Sequence, residues 1–149
     1  MKPGAWFFIL LLVALVGLGF LASKRFEGSP PELSAPEAVV LGPGGTTLAI
    51  GIVDPDSGVR SLQMRLLDQA GSRTLAEQDY PGGLLEGSGA EGRIRNFEIL
   101  LDPEKLHVPD GTATLVIAVR DWSWRDGFAG NRTELSIPVI IDTRPPRVE

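Results

Sequence analysis

The sequence predicts an all-β sandwich behind one apolar helix, and three observations carry that prediction. Near the C-terminus Leu135, Ile137, Val139 and Ile141 alternate with Glu134, Ser136, Pro138 and Ile140. A period of two places the first set on one face of a half-buried strand. The 18 Gly and 12 Pro, roughly a fifth of the 149 residues, are spread between such segments, which favours many short strands joined by turns over disorder. Finally, the segment from Ala5 to Ala22, AWFFILLLVALVGLGFLA, carries no charge.

As a helix that block is about 27 Å long at ~1.5 Å per residue, close to the ~30 Å hydrocarbon core of a bilayer. Residues 1–25 are therefore expected to form a transmembrane anchor, with Trp6, Phe7, Phe8, Leu12, Leu15 and Phe20 facing lipid. An uncleaved signal anchor is favoured over a removable signal peptide. The apolar run is longer than a signal core, and cleavage after Ala22 would put Phe20 where a small residue is needed. A cut near Gly17 or Gly19 is the alternative. Lys2 faces Lys24 and Arg25 across the block, so the distribution of positive charge leaves orientation undecided. All foldable sequence follows the helix, so an exported domain would be the C-terminal one, giving an N-in, C-out topology. The stretch 26–36, FEGSPPELSAP, has no periodicity and suits a semi-extended spacer.

A module over 37–142 follows. Glu37–Leu41 is a short entry strand stopped by GPGG, and Thr46–Val53 a full one with Leu48, Ile50 and Ile52 on one face. DPDSG at 54–58 is a turn, with Pro55 presetting φ and Gly58 permitting a left-handed exit. Val59–Leu67 points Leu62, Met64 and Leu66 inward, and Thr74–Tyr80 is a weaker edge strand. Residues 81–92 form a long loop, and Arg93–Leu101 turns Phe97, Ile99 and Leu101 to the core. Asp102–Asp110 crosses between sheets through one helical turn started by Asp102 and Pro103. Thr114–Val119 and Leu135–Ile141 close the order as antiparallel neighbours. Seven strands at this turn spacing predict an immunoglobulin-like β-sandwich; a small barrel or a prealbumin-like sandwich is the alternative. Residues 143–149 are expected to be a linker or the start of a further module.

Acidic side chains gather at several loops. Asp54, Asp56, Asp121, Asp126 and Asn131 could meet at one pole as oxygen ligands for Ca²⁺, or serve only as turn and cap residues. Trp122 and Trp124, with Phe128 nearby, could form an aromatic platform for a glycan or protein, or a lid over the end of the core. His107 is the only histidine and there is no cysteine, so neither a thiolate zinc site nor a two-imidazole site can be assembled. No phosphate-binding glycine loop precedes a helix, and no cofactor is expected. Asn131-Arg132-Thr133 is a glycosylation sequon that matters only in a glycosylating host. The formal charge is −5, and setting aside the three cations that flank the apolar block leaves −8. Such a balance argues against a nucleic-acid partner.

Asp54-Pro55-Asp56-Ser57-Gly58-Val59, together with the late pattern of Asp121, Gly130-Asn131, Thr133 and Asp142-Thr143-Arg144-Pro145-Pro146, resembles bacterial Ig-like domains. With the anchor, the chain most closely resembles the membrane-proximal, non-catalytic region of bacterial M23 (LytM-like) cell-wall metallopeptidases. The zinc ligands of that family have no counterpart here, so the resemblance implies no catalytic residue and no enzyme. It implies a domain on the periplasmic side of the inner membrane that positions or regulates peptidoglycan machinery, its partners being membrane lipid, an envelope protein and peptidoglycan. The alternatives are an N-terminal fragment of a zinc endopeptidase, an anchored subunit of an envelope complex, and a glycan- or protein-binding module.

Overall fold

The computed structural model describes residues 3–144. Helix α1 (Pro3–Arg25) is long and apolar enough, from Trp6 onward, to cross a membrane. Trp6, Phe7, Phe8, Leu12, Leu15 and Phe20 are all exposed along it; the sandwich covers none of them. Eight strands follow: β1 (Glu32–Ser34), β2 (Val39–Leu41), β3 (Thr46–Val53), β4 (Val59–Asp68), β5 (Gly71–Asp79), β6 (Ile94–Leu101), β7 (Gly111–Asp121) and β8 (Arg132–Ile141). They form a three-stranded sheet, β1-β3-β6, and a five-stranded sheet, β2-β8-β7-β4-β5. All pairs are antiparallel except β2 with β8.

The alternation read from the sequence sets both inner faces. Leu48, Ile50 and Ile52 of β3 meet Leu62, Met64 and Leu66 of β4, Leu115, Ile117 and Val119 of β7, and Ile137, Val139 and Ile141 of β8 in one cluster. Leu101 is buried at the end of β6, with Phe97 and Ile99 packed against the same core. β7 and β8 pair from Gly111–Ile141 to Arg120–Arg132, so the C-terminal hairpin is the centre of the larger sheet. β5 is that sheet's edge, as its weaker pattern predicts. Between β6 and β7 the crossover carries one helical turn, α2 (Pro103–Leu106), whose N-cap Asp102 accepts from the amides of Glu104 and Lys105. His107 ends that turn in the left-handed region at φ 51° and is exposed.

The count is eight strands, not seven. The additional one, β1, lies in the stretch read as a spacer and pairs with β3 from Glu32–Val53 to Ser34–Gly51. Three residues between prolines are too few to display a period. Only the backbone pairing and the packing of Leu33 against the core make the segment a strand. The segment 26–36 therefore runs along the sandwich instead of standing off from it. Pro145, Pro146 and the start of a further strand expected after them lie outside the described residues.

Candidate functional site

The pole where α1 enters the sandwich collects most of the polar chemistry. Asp54 follows β3, Asp121 ends β7, and Glu27 lies two residues beyond α1. One carboxylate oxygen from each lies within 4.8 Å of the others. Asp54 and Asp121 are fully buried and Glu27 is half-buried. None of the three forms an ion pair among the described residues.

Their hydrogen bonding differs sharply. Asp121 is satisfied: Oδ1 accepts from the amides of Ser123 (2.9 Å) and Asn131 (2.7 Å), and Oδ2 from Asn131 Nδ2 (2.8 Å). Asp54 Oδ1 accepts from the Asp56 amide at 3.1 Å, while its Oδ2 is shielded and accepts nothing. Both Glu27 oxygens are shielded without a partner, as is the Ser57 hydroxyl. Burial pushes the Glu27 carboxyl up to about 7; the nearby Ser57 hydroxyl offsets this in part without closing a hydrogen bond, and the charges of Asp54, Asp56 and Asp121 add to it. Burial also raises Asp54, against the lowering effect of the Asp56 and Gly58 amides.

The residues behind the Asp…Gly-Asn…Thr pattern act here as a latch. Asn131 Nδ2 also reaches the carbonyls of Glu27 and Ser29, each at 3.3 Å. Thr133 Oγ1 donates to the Pro31 carbonyl, and Arg125 Nε to the Glu27 carbonyl at 3.0 Å. Trp124 N donates to the Arg25 carbonyl at 2.8 Å, and the buried Arg25 guanidinium donates to Leu85 O through Nε (3.0 Å) and Nη2 (2.7 Å). The end of α1 is thus fastened to the β7–β8 loop and to the 81–92 loop.

Of the acidic residues named from the sequence, Asp54 and Asp121 come together. Asp56 stays exposed beside them, close enough for its charge to raise Glu27. Asp126 is turned away, exposed at φ 49° and paired with Arg120 at 3.2 Å. Asn131 joins the site through amide N–H groups, which donate and cannot ligate a cation. Glu27, missed in the sequence, completes the group. Its signal was slight: one carboxylate between an aromatic residue and a glycine, just after the helix.

Trp122 and Trp124 are both half-buried. The bends after Asp121 break the extended backbone that would have set them side by side. Arg60 stacks over the Trp122 ring at 4.8 Å, and a Cβ on Gly82 would sit 2.4 Å from Trp122 Nε1. Trp124 Nε1 donates to Leu84 O at 2.6 Å, and its ring meets Phe26 and Phe128 edge-on at 5.4 and 5.9 Å. Phe128 itself is 51% exposed, in a left-handed turn with Asp126 and Gly127. Both indoles therefore plug the space between loops. Trp124→Ala is expected to cost about 2 kcal/mol in urea unfolding of the full chain. A loss within about 0.5 kcal/mol would mean that the ring packs on nothing that matters and is available to a ligand.

No protein-family model matches the chain, and no curated protein matches it. Among solved structures it is similar, at 13% identity and a TM-score of 0.48, to the endo-β-1,4-mannanase from Thermotoga petrophila, over 79% of this chain and 21% of that one. It spans about a fifth of that enzyme's length. A chain from a structure on T-cell specificity and activation by the bacterial superantigen toxic shock syndrome toxin-1 is similar at 11% identity and a TM-score of 0.44, over 74% of this chain and 98% of that one. AggA, the major subunit of aggregative adherence fimbriae type I from Escherichia coli, is similar at 12% and 0.43, over 78% and 97%. At such values they bear on neither activity nor partner. The chain is a mostly β protein of two sheets with one N-terminal apolar helix.

Proposed function

We propose that the chain is a non-catalytic, single-pass module of the bacterial inner membrane whose Ig-like sandwich lies on the periplasmic side and positions or regulates peptidoglycan machinery. The observation that carries this reading is the seat of the sandwich on its helix. Backbone and side-chain bonds from Arg25, Glu27 and Ser29 to Leu85, Trp124, Arg125 and Asn131 fix the domain at the end of α1. A freely tethered binder needs no such seat; a spacer or scaffold does, because its task is to hold a partner at a set height and angle. Exposed Phe26, Leu84, Leu85 and Phe128 belong to the same segments, and apolar side chains there suit the headgroup boundary of a bilayer. The resemblance to the membrane-proximal region of M23 cell-wall metallopeptidases supplies the class of machinery.

Two measurements test the reading. In intact cells the sandwich should resist added protease and become sensitive once the outer membrane is opened. Affinity capture of the full chain from native membranes should then enrich a cell-wall hydrolase or synthase, and deletion of residues 37–142 should abolish that enrichment. Exposure of the sandwich on the cytoplasmic face would overturn the topology. Recovery of a stoichiometric membrane complex that survives the deletion would assign the contacts to α1 instead.

A further inference from the structure

We propose that Glu27, Asp54 and Asp121 form a calcium site that ties the exit of α1 to both sheets. Each ligand comes from a different part of the fold: Asp54 from the smaller sheet, Asp121 from the larger, and Glu27 from the segment leaving the helix. One ion would therefore fasten all three, independently of what the module positions.

Acidic side chains gather on many surfaces without binding anything. Here burial without partners sets the group apart. Asp54 is only 2% exposed and Ser57 3%, yet Asp54 Oδ2 and Ser57 Oγ accept no hydrogen bond, and both Glu27 oxygens are shielded and equally unpaired. Buried polar atoms are almost always satisfied, and a buried carboxylate without a donor or a cation is costly. One oxygen from each of the three carboxylates gathers at one place, with the Ser57 hydroxyl near Glu27, and unpaired oxygens in such a group are the complement of a cation.

The donor set selects the ion. All candidate ligands are oxygens, and the chain's only histidine, His107, follows β6 at the opposite end of the smaller sheet. Oxygen-only sites suit hard cations. Ca²⁺ takes about six to eight oxygen ligands in flexible geometry, whereas Mg²⁺ demands a near-ideal octahedron and keeps several of its waters. Three carboxylates brought together from separate segments suit the more adaptable calcium shell. With three carboxylates, one hydroxyl and the rest of the shell left to water, the affinity should be modest, on the order of 10⁻⁴ M.

The test uses the full chain in detergent micelles, with thermal unfolding followed first in EDTA and then in CaCl₂. At about ten times Kd, calcium should raise Tm by roughly 5 °C. Glu27→Gln should melt no lower than the wild type in EDTA, because a neutral isostere removes a buried like charge, and calcium should no longer raise its Tm. Asp54→Asn, which keeps the oxygen that accepts from Asp56, should behave in the same way if Glu27→Gln does not fold. As a second readout, Tb³⁺ bound beside Trp122 and Trp124 should show luminescence on indole excitation, reversed by Ca²⁺ and absent in both variants. Absence of a calcium shift in the wild type would overturn the site, as would a shift that persists in Glu27→Gln and Asp54→Asn.

Discussion

Replacing Asp121 by alanine is expected to lower the stability of the sandwich by about 3–5 kcal/mol, a large part of what a domain of this size possesses. The carboxylate is fully buried and accepts from Ser123 N, Asn131 N and Asn131 Nδ2. Truncation leaves the Ser123 amide facing a cavity and leaves Asn131 N and Nδ2 only their longer bonds to Ser123 Oγ and to the Glu27 and Ser29 carbonyls, and hydrogen bonds to a charged acceptor are worth more than neutral ones. Loss of one negative charge beside Asp54 and Glu27 relieves some repulsion, which makes the figure smaller than the bond count suggests. The damage also spreads. Asn131 would lose the bonds that orient it toward Glu27 and Ser29, so the 27–31 segment should loosen together with the β7–β8 loop. Thermal unfolding of the full chain should therefore show a Tm lower by about 15 °C. Amide hydrogen exchange should rise at Ser123 and Asn131 while the core amides of β4 and β7 change only in step with global stability. Asp121→Asn should fall between wild type and alanine. Its carbonyl can still accept two amides, but its NH₂ must face the NH₂ of Asn131. A loss below about 1 kcal/mol for the alanine variant would show that the loop is held by its indoles and not by this carboxylate.

The latch explains which parts of the molecule were legible in the sequence. β3, β4 and β8 announced themselves because one face of each is buried and the other is not, so Leu48-Ala49-Ile50 or Ile137-Pro138-Val139 displays a period of two in any register. The helical turn at Pro103 was legible for a local reason, since Asp102 caps the two amides that follow it. β1 was not, because its pairing with β3 and the burial of Leu33 arise only after the larger elements have packed. Glu27 was hidden for the same reason. It lies 27 residues before Asp54 and 94 before Asp121, and it arrives beside them through bonds donated by Asn131 and Arg125 to its backbone carbonyl. No local spacing encodes that meeting. Asp126 shows the converse: its proximity in sequence to Asp121 suggested a shared site, but the left-handed turn at 126–128 carries it out to solvent and to Arg120. Trp122 and Trp124 were ambiguous because spacing by two aligns side chains only in extended backbone, and the chain bends as soon as β7 ends.

Gly130→Ala is the second change expected to have a large effect, about 3–4 kcal/mol, and it tests the latch from the other side. Gly130 sits at φ 87°, where a Cβ costs about 1–2 kcal/mol for conformation alone. The remainder comes from contact. An added Cβ would stand 2.1 Å from the Asp121 carbonyl oxygen and 2.7 Å from Asp121 Oδ1, and the first of these is backbone that cannot swing aside. To admit the methyl group, Asp121 must retreat from Asn131, which breaks the bonds that Asp121→Ala removes chemically. The two substitutions should therefore fall short of additivity, with the double variant losing about 1–2 kcal/mol less than the sum of the singles in urea unfolding. Gly130→Asn separates the two causes. Asparagine tolerates left-handed backbone better than alanine but brings the same Cβ, so it should recover at most about 1 kcal/mol of the loss. Full recovery by asparagine would place the whole cost in φ and leave the contact with Asp121 without energetic weight; strict additivity in the double variant would mean that Gly130 supports the loop by a route that does not pass through Asp121.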